Sequence, residues 1–361
     1  MKQGWTYKKL NEVCDKGSSN IVINKLEDNN GDYPLFGASG LVKNVDFYHQ
    51  DKPYIGIVKD GAGVGRVNTY PAFSSLVGTM QYIFAKENCL LDFIKYFLIK
   101  LDLSHCVSGA TIPHIYFKDY GKERIPVPSI DVQQSIVDEL DKINQLISLK
   151  KAQLIDYDNL AQSIFNDMFG DPIENEKGWE VKMLGEVGEI ISGSTPSTSD
   201  TENWNGDINW VTPAELGEQL YYGETVRKLT EKGAKGLTLM PVGTVLLSSR
   251  APIGKLAITK VPMCCNQGFK NIICNSSVNN IFLYYYLLQT IEHVKSLGRG
   301  ATFKEVSKSS LFSYKIITPP IYLQQCFATR ILSIEQQKII VNSSIKELET
   351  LLASRMQYWF G

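Results

Sequence analysis

No apolar run in this 361-residue chain approaches the roughly 20 residues that span a bilayer. Its first residues, Met1-Lys2-Gln3-Gly4-Trp5, lack the hydrophobic segment of a secretory signal. The expectation is a cytoplasmic protein without a membrane partner. Seven cysteines include the adjacent pair Cys264-Cys265 but no CxxC and no Cys/His set at zinc spacing. They are expected to be reduced, mostly buried thiols, and no structural metal is expected. Charge of one sign is missing too: 37 Lys+Arg stand against 38 Asp+Glu, a net charge of −1. That excludes the chain-wide cationic field typical of polyanion binders, so any DNA-facing surface must be a local basic patch.

Motifs that carry chemistry are equally sparse. Gly61-x-Gly63-x-Gly65 lacks the GxGxxG spacing and no helix-forming stretch follows it, so it reads as a turn. Gly254-Lys255 has Leu256 where a phosphate-binding loop needs Ser or Thr, which excludes that type of nucleotide site. Glu180-Val181-Lys182 after Asp171-Pro172 has poor carboxylate spacing for a metal-dependent nuclease. Thr318-Pro319-Pro320-Ile321 has neither the Asp or Asn start nor the aromatic end of the clamp that amino-methylating enzymes close on a flipped base. The four histidines, His49, His105, His114 and His293, form no HxxxH or Ser/His/Asp pattern. The chain is therefore read as non-catalytic.

What the sequence does contain is itself, twice. Asp131 to Gly170 begins Asp131-Val132-Gln133-Gln134 and closes Phe169-Gly170. Shifted by 191 positions, it falls on Tyr322-Leu323-Gln324-Gln325 through Phe360-Gly361. Each copy follows a Pro-rich junction, Ile125-Pro126-Val127-Pro128 and Ile316-Ile317-Thr318-Pro319-Pro320. Neither copy contains Gly or Pro before its closing glycine, so each is predicted to be one helix, about 60 Å long at about 1.5 Å per residue. In the first copy Ile136, Leu140, Ile143, Ile147, Leu154, Leu160, Ile164 and Met168 mark an apolar seam for a helical partner. Two breaker-free seams of comparable length most simply pack antiparallel, and Asp138, Asp141, Asp156 and Asp158 on the first helix and Lys338, Lys346 and Arg355 on the second make complementary charge available.

The segments between these helices repeat as well. Trp179, Leu184, Glu186 and Val187 match Trp5, Leu10, Glu12 and Val13 at an offset of 174; Gly61 to Val67 aligns with Arg250 to Leu256 at 189; Gly109-Ala110-Thr111 matches Gly300-Ala301-Thr302 at 191. The growing offset places an insertion of roughly 17 residues in the second copy, mostly before Gly254. Runs such as Tyr33 to Gly37 and Tyr54 to Val58 are strand-like, whereas Leu90 to Leu103 has a helical apolar period matched by Ile281 to Leu288. The expected fold class is mixed α+β: globular units at 1–129 and 171–320, and long helices at 130–170 and 321–361 forming an antiparallel, coiled-coil-like spacer. A common framework with divergent interiors suits one kind of recognition performed on two targets.

Candidate binding residues follow from matching places in the two copies. Lys59, Arg66, Arg250 and Lys255 flank glycine-containing turns from which cations reach phosphate or a guanine edge, with a solvated loop charge as the alternative. Thr111 and His114, with Thr302 and Lys304, sit on the loops after Gly-Ala. Gln81, Asn266 and Gln267 carry amides of the type that pairs with adenine, but a buried, hydrogen-bonded structural role is the leading reading of each and base pairing the competing one.

In order and twice over, the chain shows Trp-x4-Leu-x-Glu-Val openings at Trp5 and Trp179 and Gly-Ala-Thr loops at Thr111 and Thr302. Gln-Gln helix entries follow Pro128 and Pro319, and aromatic-Gly closures stand at Phe169 and Phe360. This layout resembles, over the whole chain, the specificity subunit of type I restriction-modification systems. The resemblance implies that each globular unit is a target recognition domain reading one half of an asymmetric, bipartite double-stranded DNA site. It implies spacer helices that set the gap between half-sites and dock partners, here through Ile136, Leu140, Ile143, Ile147, Leu154, Phe169 and Phe360. The implied partners are two modification (methyltransferase) subunits and the restriction subunits, an ATP-dependent translocase and endonuclease. S-adenosylmethionine, ATP and Mg belong with those partners, and this chain itself would hold no cofactor or metal. A stand-alone nuclease or methyltransferase, and a coiled-coil scaffold without a DNA role, are the competing expectations.

Overall fold

The computed structural model describes residues 4–109, 111–217, 219–250, 252–298 and 304–361. The chain forms two compact units, Met1–Lys151 with Asn342–Gly361, and Ala152–Val341. The division falls inside both long helices, so each unit owns half of each.

In the first unit β1 (Thr6–Lys9), α1 (Leu10–Val13) and β2 (Cys14–Ser18) are followed by β3 (Tyr33–Gly37), β4 (Gly40–Val45) and β5 (Tyr54–Val58). Then come β6 (Val67–Tyr70), β7 (Ser75–Leu76), β8 (Met80–Ala85), α2 (Leu91–Leu101), α3 (Phe117–Tyr120), β9 (Arg124–Val127) and the long helix α4 (Ile130–Phe169). One sheet has the order β2-β8-β5-β6, a second β4-β3-β7, and β1 pairs with β9. All five residues of β5 are buried, as expected of an interior strand with neighbours on both edges.

The second unit repeats this plan. It contains β10 (Val181–Met183), α5 (Leu184–Val187), β11 (Gly188–Ser192), β12 (Trp204–Val211), β13 (Tyr221–Tyr222) and β14 (Arg227–Leu229). It continues with α6 (Glu231–Ala234), β15 (Val245–Leu247), β16 (Leu256–Thr259), β17 (Met263–Cys265), β18 (Lys270–Cys274), α7 (Asn280–Gln289) and α8 (Ile291–Ser296). The last elements are α9 (Lys308–Phe312), β19 (Lys315–Ile317) and the long helix α10 (Ile321–Phe360). Its sheets, β11-β18-β15-β16-β13 and β14-β12-β17 with the pair β10-β19, match those of the first unit strand for strand, plus β13.

The repeated sequence landmarks are structural devices. Glu12 and Glu186 each accept the N–H three residues upstream, of Lys9 at 2.7 Å and Met183 at 2.6 Å, and so start α1 and α5. Phe169 at the end of α4 is buried in the second unit against Phe165, Phe282 and Phe327. Phe360 at the end of α10 packs in the first unit on Phe93 and Phe97, while Trp359 stacks on Trp5.

Within each unit the two long-helix segments run antiparallel. In the first, Glu139 pairs with Arg355 and Lys151 with Glu349 at 3.1 Å; in the second, Asp158 pairs with Lys338 at 2.8 Å. Charge complementarity is present, although Arg355 takes Glu139 and none of the four aspartates singled out from sequence. The apolar seam needs correction over its second half. Leu160 is 46 % exposed, and Ala161 and Phe165 are buried in its place. A step of six residues from Leu154 turns a helix by about 240°, away from the partner, whereas seven and eleven residues return to the same face. No helix among the described residues is long and apolar enough to cross a membrane.

Candidate nucleic-acid interface

In the first unit a glycine turn caps the end of β5. The Val58 N–H donates to the Arg66 carbonyl at 3.0 Å, and Gly65 N–H donates back to Val58 at 2.8 Å. Gly61, Gly63 and Gly65 between them adopt φ of 84°, 87° and 87°, a region costly for side chains bearing Cβ. This turn is zipped to the loop before α3: Gly61 N–H donates to Pro113 and Ile115 N–H to Lys59, both at 2.9 Å. The fold thus brings together Lys59, Arg66, Thr111 and His114, which the sequence separates by up to 55 positions. The Lys59 ammonium pairs with the Asp60 carboxylate, Arg66 and Thr111 are exposed, and the half-buried His114 ring meets Tyr116 edge-on at 4.9 Å. Gln81 does not join them. It lies in β8 between β2 and β5 and is buried, so its amide is not a surface reader.

The second unit builds the same frame from different side chains. Ser248 N–H donates to Lys255 at 2.9 Å, Gly254 N–H to Ser248 at 3.0 Å, and Val306 N–H to Ser249 at 2.9 Å. Ser249 N–H donates to Gly268 at 2.8 Å, as Lys59 N–H does to Thr79 at 2.9 Å. By this bonding Asp60 corresponds to Arg250, Arg66 to Lys255, His114 to Glu305 and Gln81 to Lys270. The alignment of Gly61 with Arg250 is therefore corrected by one position, because the second turn is one residue shorter.

Arg250 Nε and the buried Lys270 Nζ contact opposite oxygens of Glu305, at 2.9 and 3.2 Å. Burial alone would raise the Glu305 carboxyl, but the hydrogen bonds from Arg250 and Lys270 outweigh it and hold it below the ordinary carboxylate range. Arg250 is thus partly engaged, and the exposed Lys304 stands next to the pair. Lys255 Nζ donates to the Leu216 carbonyl at 2.7 Å. Gln267 is exposed and accepts the Thr195 hydroxyl at 2.6 Å, whereas Asn266 spends its side-chain oxygen on the Gly268 N–H at 2.9 Å. Thr302 lies outside the described residues.

One basic residue went unnoticed in the sequence. The Arg227 guanidinium lies 3.5 Å from the Trp204 ring centre and 5.3 Å from that of Trp210. The indole N–H groups of the same tryptophans donate to Ser197 and Ser194, both at 3.1 Å, fixing the Ser/Thr-rich loop beside Gln267. A tryptophan six residues from another on one strand, Trp204 and Trp210, was the available signal. Among the described residues no group of three or more His, Cys, Asp or Glu side chains is placed to hold a metal ion.

The residues assigned to the spacer and to partner docking lie largely inside the units. Ile136, Leu140, Ile143, Ile147 and Phe169 are buried within their own units, and Leu154 and Phe360 are partly so. Their apolar surface is consumed by the chain's own packing. The aliphatic side chains that the long helices leave exposed are others, among them Leu146 and Leu149 in the first unit and Ile155, Leu332 and Ile339 in the second.

Comparison with known proteins agrees with the twofold plan. The family model described as "Type I restriction modification DNA specificity domain" matches residues 2–156 and again 176–350. The MjaIX specificity subunit of a type I restriction enzyme from Methanocaldococcus jannaschii is 44 % identical over 159 residues, 42 % of this chain and 37 % of that protein. The EcoR124I/EcoR124II specificity subunit from Escherichia coli is 28 % identical over 250 residues, 64 % of this chain and 59 % of the relative. The matches thus span less than two thirds of these relatives' lengths. Among solved structures, the type I restriction-modification S subunit from M. genitalium superposes with a TM-score of 0.61 at 16 % identity, covering 99 % of this chain and 96 % of that one. A chain from a structural study of assembly and conformational transition in a type I restriction-modification system gives the same TM-score at 20 % identity, covering 100 % and 98 %. These two likenesses concern the fold. With both halves matched by the family model and the same bonding frame built twice, the chain belongs to the type I restriction-modification DNA specificity family.

Proposed function

We propose that this chain reads an asymmetric, bipartite double-stranded DNA target, one half-site with each compact unit, and directs partner modification and restriction subunits to it. One observation carries the reading. The hydrogen-bonded frame that presents Asp60, Arg66 and His114 in the first unit presents Arg250, Lys255 and Glu305 in the second. A conserved frame with exchanged side chains performs one kind of recognition on two sequences, because base identity is read by side-chain donors and acceptors. The long helices then set the gap between half-sites, and their exposed aliphatic residues are the surface offered to modification subunits. Methyl transfer from S-adenosylmethionine and ATP- and Mg-dependent cleavage belong to those partners. The near-neutral charge of this chain fits a protein whose affinity is completed by the assembled complex.

The test is selection from random bipartite duplexes by the chain together with the modification subunits. Enrichment of two unrelated half-sites at one fixed spacing is the expected result. Indifference to sequence would overturn the reading.

A further inference from the structure

We propose that the end of the β3–β4 hairpin, residues 37–42, and its counterpart between β12 and β14 are a principal base-reading element of each unit, with an exposed aliphatic side chain, Leu41 or Val226, that packs against thymine C5-methyl groups. The proposal rests on the DNA-reading function above and names which segment does the reading.

Strand pairing makes the two connections equivalent. Leu35 faces Lys43 and Trp210 faces Arg227, while Tyr33 faces Val45 and Ile208 faces Leu229. Val77 N–H donates to Phe36 at 2.9 Å, and Asn266 N–H donates to Val211 at 3.1 Å. Phe36 therefore corresponds to Val211, and Lys43 to Arg227. Six residues, 37–42, join them in the first unit and fifteen, 212–226, in the second, a difference of nine. Much of the length difference between the copies thus falls on this one connection.

Both connections belong to the candidate interface. Arg66 Nη1 donates to the Ala38 carbonyl at 3.4 Å, and its counterpart Lys255 donates to Leu216 at 2.7 Å. The same cation in the frame therefore braces the same connection in both units.

Both also present the same chemistry. Leu41, two residues before Lys43, is 62 % exposed, and Val226, one residue before the equivalent cation Arg227, is 85 % exposed. A single exposed aliphatic side chain is ordinary on a protein surface. Here an exposed aliphatic residue stands within two positions of the equivalent cation in both units, although the segments that carry it differ so much in length. In the second unit the tip is also held in position: Glu215 accepts the Val226 N–H at 2.8 Å and the Tyr222 hydroxyl at 2.9 Å, and the Thr225 hydroxyl donates to Asn209 at 3.1 Å. A fixed, uncovered apolar tip beside cations suits the major groove, where the thymine methyl is the apolar feature and phosphates flank it.

The test uses the full chain in complex with its modification subunits and a pool of random bipartite duplexes. Val226→Ser is expected to lower discrimination about tenfold at one or two adjacent A·T positions of one half-site. Leu41→Ser is expected to do the same in the other half-site. In each case the opposite half-site and the spacing stay as in wild type, and melting curves stay unchanged because both side chains are exposed. A wild-type complex without sequence preference would overturn the DNA-reading function itself. A wild-type complex with two clear half-sites that survive both substitutions, or that lose affinity uniformly for all sequences, would overturn this proposal alone.

Discussion

The side-chain oxygen of Gln133 accepts the Leu90 N–H at 2.9 Å, tying the entry of α4 to the start of α2. Its amide nitrogen donates to Asn88 and Pro128, both at 3.0 Å. Gln324 makes the same three bonds in the second unit, to Asn279 N–H at 2.8 Å and to Ser277 and Pro319 carbonyls at 3.3 and 2.7 Å. Both glutamines are fully buried. The second glutamine of the repeated pair in the first unit, Gln134, is exposed and donates to Asp138 on its own helix, at 2.8 Å.

Gln133→Leu leaves one backbone donor and two carbonyls without their partner, the Pro128 carbonyl in a buried place and the Leu90 N–H and Asn88 carbonyl in part-buried ones. A buried group left unsatisfied costs about 1–3 kcal/mol and water reaches the two part-buried ones, so a loss of about 1–3 kcal/mol is expected. Gln134→Leu is expected to change stability by less than about 0.5 kcal/mol. Denaturant unfolding of the two variants, with amide exchange at Leu90 as the local reporter, checks the contrast. Equal losses would show that the buried staple adds nothing.

Glu139 is held by Arg355 and by the Trp359 indole N–H at 3.0 Å. The Arg355 hydrogen bond, outweighing burial and aided by Trp359, lowers its carboxyl below the ordinary value of 4.5. A depressed carboxyl stabilises the fold above its unfolded value and loses that contribution as pH falls through the folded value. Glu139→Gln should therefore melt below wild type near pH 7, and the two curves should converge below pH 4.5. A gap of equal size at pH 7 and at about pH 3 would contradict the linkage.

The corrected seam is tested by two substitutions five residues apart. Phe165→Ala empties a site packed by Phe169, Phe282 and Phe327, for which a loss of about 3–5 kcal/mol is expected. Leu160→Ala removes a half-exposed side chain and should cost less than about 1 kcal/mol. Thermal unfolding ranks them, and the reverse order would restore the seam drawn from spacing alone.

Much of this fold was legible because its repeated residues do the same physical work twice. Glu12 and Glu186 cap, Gln133 and Gln324 staple, and Phe169 and Phe360 anchor the helix ends. The absence of Gly and Pro gave the long helices nearly to the residue. The site was legible only in part. Gln81 stood between a buried structural amide and a base reader because one-dimensional sequence does not tell an interior strand from an edge strand, and its place in the interior strand β8 makes it the former. Asp60 and Arg250 were missed as counterparts because a shortened glycine turn shifts the register by one. Val226 and Leu41 draw their meaning from strand pairing between residues far apart, which no local pattern encodes.

The pairing of the long helices also sharpens how the spacing between half-sites is tested. Removing seven residues from α4 alone, between Lys142 and Asp158, would put Asp158 out of register with Lys338 or Glu139 out of register with Arg355. Two turns must therefore leave both helices, seven residues from that stretch of α4 and seven from α10 between Lys338 and Arg355. Seven residues measure about 10.5 Å along a helix, close to three base-pair steps of about 3.4 Å. The expected outcome, read by selection from random bipartite duplexes, is a target whose two half-sites are those of wild type and whose gap is shorter by about three base pairs. Unchanged spacing with altered half-sites would mean that the helices contribute to base reading and do not set the gap.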